Sequence, residues 1–141
     1  MTATDDTIRD LLGRARVIAM VGASPKPDRP SYGVMHFLQK KGHKVIPVNP
    51  AAAGQTLHGE TVVASLKDIS EPVDMVDIFR RSEDVGPVVD EAIVIGAKSV
   101  WMQLGIRNDE AAAKAEAAGL TVVMDRCPKI EYPRLGLPGL S

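Results

Sequence analysis

The 141-residue sequence predicts an α/β fold, a doubly wound parallel sheet of about five strands with helices on both faces. Three observations predict it. Short apolar runs alternate with segments of helical periodicity almost throughout. The strand-like runs are nearly continuous in apolar residues, as in strands covered on both faces. Capping residues and stop glycines bracket the helical segments.

Taken in order, residues 5–14 place Ile8, Leu11 and Leu12 at i, i+3, i+4, an amphipathic helix. "RVIAMVGAS" (16–24) is a buried strand. "SYGVMHFLQKKG" (31–42) is a helix with Ser31 as cap, Val34, Phe37 and Leu38 on one face, and Gly42 just past its end. "HKVIPVNP" (43–50) is the second strand, bulged or unpaired at Pro47, which has no N–H. Residues 51–72 are irregular. "VDMVDIF" (73–79) is the third strand, and 82–97 a helix with Ser82 as cap and Pro87 in its first turns. "KSVWMQLG" (98–105) is the fourth strand. Asn108 caps an alanine-rich helix that Gly119 stops, "LTVVMD" (120–125) is the fifth strand, and a proline-broken tail follows.

The expected arrangement is a Rossmann-like order 3-2-1-4-5, with a flavodoxin-like 2-1-3-4-5 as alternative. The length suits one domain over 1–141, with its core over about 8–132. A net charge of −1 gives no footing for nucleic acid or an anionic membrane. One cysteine, an acidic N-terminus and no long apolar run point to the cytoplasm.

In such sheets ligands bind beyond the carboxyl ends of the strands. Gly22, Ala23, Ser24, Lys26 and Arg29 follow the first strand, Asn49 and Pro50 the second. Arg80 and Arg81 follow the third, Gln103 ends the fourth, and Arg126, Cys127 and Lys129 follow the fifth. Six cations on one edge of a chain without cationic excess favour a polyanionic small molecule. The loop "VGASPKPDRPSYG" (21–33) departs from a dinucleotide fingerprint. Ser24 stands where the second glycine belongs, and strand two ends in "PVNP" with no acid for the ribose hydroxyls.

"VGASPKPDRPSYG", "VIPVNP", "DIFRRSEDV" and "DRCPKIEY" together resemble the stand-alone CoA-binding proteins, which are similar to the N-terminal domain of the succinyl-CoA ligase α subunit. The resemblance implies that coenzyme A lies across the carboxyl edge. Gly22, Ala23, Ser24, Pro25 and Lys26 would line its phosphate groove, with Arg29 and Tyr32 beside it. Val48, Asn49 and Pro50 would flank the nucleoside, with Phe79, Arg80 and Val85 as the next wall and Gln103 nearer the pantetheine arm. The chain ends at Ser141 without the ligase's phosphorylated-histidine domain, so ligase activity is not expected.

Cys127 reads either as a thiol near the CoA sulfur or as a small buried hydrophobe. His36, His43 and His58 lack metal-ligand spacing and read as surface residues. Glu131 beside Tyr132 reads as a tail anchor, and Trp101 as core. The expected function is a non-catalytic carrier, sensor or partner of an acyl-CoA enzyme, binding CoA or an acyl-CoA. The alternatives are an NAD(P)-dependent oxidoreductase and the CoA-binding subunit of a split acyl-CoA ligase.

Overall fold

The structure, a computed structural model, describes residues 3–140. Five parallel strands form the main sheet: β1 (Val17–Val21), β2 (Lys44–Val48), β5 (Met75–Ile78), β6 (Ser99–Met102) and β7 (Thr121–Val123). Between β2 and β5 a small antiparallel hairpin joins β3 (Thr56–Leu57) to β4 (Glu60–Thr61). Its turn residues His58 and Gly59 both have positive φ, the type I′ geometry that matches the strands' twist.

The fold class is the one the sequence predicts, but the strand order is the alternative. The sheet runs β2-β1-β5-β6-β7, which in core-strand terms is 2-1-3-4-5 rather than 3-2-1-4-5. Pro47 gives the physical reason. Lys44 N donates to Arg16 O at 2.8 Å and Val48 O accepts from Gly22 N at 2.9 Å, so these residues face β1. Pro47 therefore faces the other way, where its carbonyl accepts from Val63 N at 3.0 Å. With a further full strand on that side the missing N–H would leave a gap in the ladder; at the edge it costs little. Among the described residues a single isolated bridge, between Val48 and Val63, pairs with this edge.

The strands alternate their side chains between two cores. Ile18, Met20, Met75 and Trp101 pack beneath α1 (Asp5–Arg14), α2 (Pro30–Lys40) and α5 (Pro128–Arg134). Ala19, Val21, Val76, Ile78, Val100 and Met102 pack beneath α3 (Val85–Val94) and α4 (Asp109–Ala117). Gly42 ends α2 as expected: its N–H bonds Gln39 O and the His43 N–H bonds Leu38 O, a Schellman closure. Asn108 caps α4, accepting from Ala111 N at 2.9 Å.

Four local expectations are corrected. Ser31 does not cap α2, which opens with Pro30 at its first position; the Ser31 hydroxyl instead accepts from Ser24 N at 3.0 Å. Ser82 does not cap α3, because its hydroxyl accepts from Arg107 N and its carbonyl from Asn108 Nδ2. The tail contains α5, with Pro128 at the position where helices tolerate proline best. His43 is buried, not on the surface: one ring nitrogen meets Ala15 O and the other the Tyr132 hydroxyl. Glu131 anchors the tail as expected, through Arg134, which also reaches Asp5.

Candidate functional site

The carboxyl ends of the strands open onto a cleft of about 900 Å³. Its shape begins at Gly22, where the backbone turns with φ +87° out of β1. A β-carbon there would lie 2.1 Å from Phe79 O, so only glycine lets the β1 and β5 ends approach. The following loop is held by its own serines. Ser24 N bonds the Ser31 hydroxyl, and Lys26 N bonds the Ser24 hydroxyl at 3.2 Å. Asn49 ties the same loop to β2, donating to Ala23 O at 2.8 Å and accepting from Ala51 N at 3.0 Å.

Ten of the fifteen expected positions line this cleft: Gly22, Ser24, Pro25, Lys26, Arg29, Asn49, Phe79, Arg80, Gln103 and Cys127. Five do not. Ala23 is fully buried, and Val85, the first residue of α3, is fully buried in the core on that helix's side of the sheet. Tyr32 turns its ring onto His58, 4.3 Å away between centroids. Val48 and Pro50 line a smaller neighbouring cavity of about 270 Å³, which Arg80 also borders. The sequence reading missed Gln55, Leu104, Ile106 and Ile130 on the cleft wall. Ile130 lies on the unexpected α5, and Gln55 in the stretch read as irregular, so neither had an assigned place.

The electrostatics separate this edge from the rest of the surface. Among the described residues, Lys26, Arg29, Arg80, Arg126 and Lys129 make no ion pair, and only Arg81 has a partner, Asp84, at 2.9 Å. Most cations elsewhere are paired, among them Arg9, Arg14, Lys44, Lys98, Arg107, Lys114 and Arg134. Lys26, Arg29 and Arg80 thus face the cleft with their charge unneutralised. Nothing in the spacing of the described His, Cys, Asp and Glu side chains groups three of them for a metal.

Beneath the floor lies a group the sequence reading passed over. Asp77, in β5, is fully buried, and burial pushes its carboxyl well above the usual carboxylate range. With its amide turned to donate, Gln103 Nε2 lies 2.7 Å from Asp77 Oδ1 and 3.2 Å from Oδ2. The signal was available: "VDMVDIF" carries an acid inside an otherwise buried strand. Cys127 is half-buried at the start of α5 and is not bonded to another cysteine.

Residues 16–133 match the family described as CoA binding domain. The chain belongs to the CoA-binding domain family. This CoA-binding domain is 40% identical over 125 residues to YneT of Bacillus subtilis (strain 168), a protein itself uncharacterized, covering 89% of this chain and 91% of YneT. A Thermus thermophilus structure superposes with a TM-score of 0.89 at 40% identity, covering 94% of this chain and 99% of that one. The dinucleotide-forming acetyl-coenzyme A synthetase 1 of Ca. Korarchaeum cryptofilum, in complex with phosphate and ADP, superposes at TM-score 0.70 and 25% identity. That match takes in 86% of this chain but 28% of the synthetase.

Proposed function

We propose that this CoA-binding domain holds CoA or an acyl-CoA in the 900 Å³ cleft as a non-catalytic carrier or sensor. The observation that carries the reading is the set of unneutralised cations, Lys26, Arg29 and Arg80, on an otherwise largely apolar wall. CoA brings a diphosphate and a 3′-phosphate, which such a set suits, together with a long uncharged arm that needs apolar and amide surroundings. NAD is disfavoured: the loop has no second glycine for a close backbone approach to the diphosphate, and β2 ends without an acid for the ribose hydroxyls.

Asn49 serves the site indirectly in this reading. Its amide is engaged with Ala23 and Ala51, so it shapes the loop rather than supplying the ribose with a full set of bonds. Among the described residues the cleft lining carries Ser24, Ser31 and Cys127 but no histidine, aspartate or glutamate. The likeness to one segment of an acetyl-coenzyme A synthetase favours a second reading, in which the domain serves an acyl-CoA enzyme as a separate partner.

Two measurements test the assignment. Calorimetry should show CoA binding with a micromolar or lower Kd, of the order of −8 kcal/mol or stronger, and more tightly than NAD. NAD binding as tight as CoA would sink it. Mass spectrometry of small molecules released from freshly purified protein should recover CoA or a thioester, and co-purification of an acyl-CoA enzyme would support the partner reading.

A further inference from the structure

The cleft has a direction. Adjacent strands stand about 4.8 Å apart, so the edge from β2 to β7 extends roughly 19 Å. Asn49 and Gln55 lie at the β2 end, and Lys26, Arg29 and Arg80 after the central strands β1 and β5. Beyond them, after β6 and β7, the lining turns apolar with Leu104, Ile106 and Ile130, around Gln103 and Cys127. Among the described residues three large apolar side chains are exposed, Val94 at 83%, Leu104 at 59% and Ile130 at 48%. Two of the three stand on this one end of the cleft.

We propose that the β6–β7 end is an acyl subsite and that the preferred ligand is a CoA thioester of an uncharged aliphatic acid. This rests on the reading that CoA occupies the cleft. CoA is charged at its nucleotide end and uncharged along its arm, so the cations after β1 and β5 direct the thiol end toward β6 and β7. There an acyl chain meets Leu104, Ile106 and Ile130, which free CoA leaves facing water. A charged acyl group is disfavoured. Arg126 and Lys129 do not line the cleft, Arg81 is engaged by Asp84, and Arg107 by Asp109.

The test is calorimetric titration with CoA, acetyl-CoA, butyryl-CoA and succinyl-CoA. Full burial of one methylene strengthens binding about fourfold. In an open cleft part of that is lost, so butyryl-CoA should bind about three- to tenfold more tightly than acetyl-CoA. Succinyl-CoA should bind more weakly than butyryl-CoA. A variant carrying Leu104→Ser and Ile130→Ser changes two exposed side chains, so it should fold. In it the ratio of butyryl-CoA to acetyl-CoA affinity should fall close to one. Equal affinities for the acetyl, butyryl and succinyl thioesters, with CoA itself binding, would overturn the acyl subsite and leave the CoA reading standing. An undiminished butyryl advantage in the double variant would place the chain elsewhere and also overturn it. Failure of CoA and every thioester to bind would remove both.

Discussion

Asp77 and Arg29 are opposite kinds of ionisable residue, one fully buried in a strand and one exposed on the cleft wall. Burial raises the Asp77 carboxyl, so between about pH 4 and its raised folded value the native state holds a proton that the unfolded chain has lost. Stability from this group is present at low pH and falls as pH rises through that window. The Asp77→Asn variant keeps an amide partner for Gln103 without the ionisable group. It should be more stable than the parent at about pH 8, by a few degrees at about 2–4 °C per kcal/mol, and the difference should shrink toward pH 4. Melting curves across pH check this; an equal difference at all pH values would mean that ionisation is not the cause. Arg29 is exposed and unpaired, so Arg29→Ala should leave the melting temperature of the unliganded protein nearly unchanged. In the proposed CoA complex a charge-assisted bond from Arg29 to a phosphate would be worth about 1.5–3 kcal/mol, toward the lower end because the ion pair is solvated. CoA affinity should therefore fall about tenfold, which calorimetry would detect.

At the scale of elements, α5 is the piece that holds the tail against the sheet, and its anchor is a buried polar pair. Tyr132 is buried and its hydroxyl meets the His43 ring. Burial pushes the phenol up to about 12 and holds the His43 imidazole below its ordinary value, so both are neutral near pH 7. His43 therefore contributes stability above about pH 6.5 that is lost as pH falls through its depressed folded value. Tyr132→Phe leaves a buried ring nitrogen without its donor and should cost about 1–3 kcal/mol. Equilibrium urea unfolding at neutral pH would read that loss, and no loss would show that water replaces the hydroxyl. The element pattern also shows what a sequence makes readable. The five core strands were legible because burial on both faces leaves little but apolar residues. Helix α5 was not, because Pro128 and Pro133 read as breakers although the first opens the helix. Ser31 and Ser82 have the chemistry of caps, and their partners, Ser24 and Arg107, are set by tertiary approach that local pattern does not encode.

Across the whole molecule, strand order decides which loops share the cleft, and here the sequence held a clue in Pro47 that spacing alone does not rank. An edge position for β2 brings β5 beside β1, so Gly22 meets Phe79 and the cationic loop faces Arg80. The candidate site was legible as chemistry, in which residues follow each strand. It was less legible as direction, because whether Tyr32 or Val85 turns inward depends on packing. This architecture makes a spatial prediction about ligand binding. CoA at a hundredfold excess over its Kd should stabilise the native state by about 2.7 kcal/mol, raising the melting temperature by roughly 5–11 °C. The protection should not be uniform, because a ligand in the cleft touches only the carboxyl edge. Hydrogen exchange should slow in 22–34, 49–55, 79–84, 103–107 and 126–130, which contain the cleft lining. The turns at 41–43, 96–98 and 118–120 lead into β2, β6 and β7 at the opposite, amino edge, and they should exchange at the rate of the free protein apart from the global stabilisation. Raising salt should weaken binding, since the proposed contacts of Lys26, Arg29 and Arg80 with phosphates would be screened over about 10 Å at 0.1 M. Protection centred on the amino-edge turns, or binding indifferent to salt, would place the ligand somewhere other than the cationic cleft.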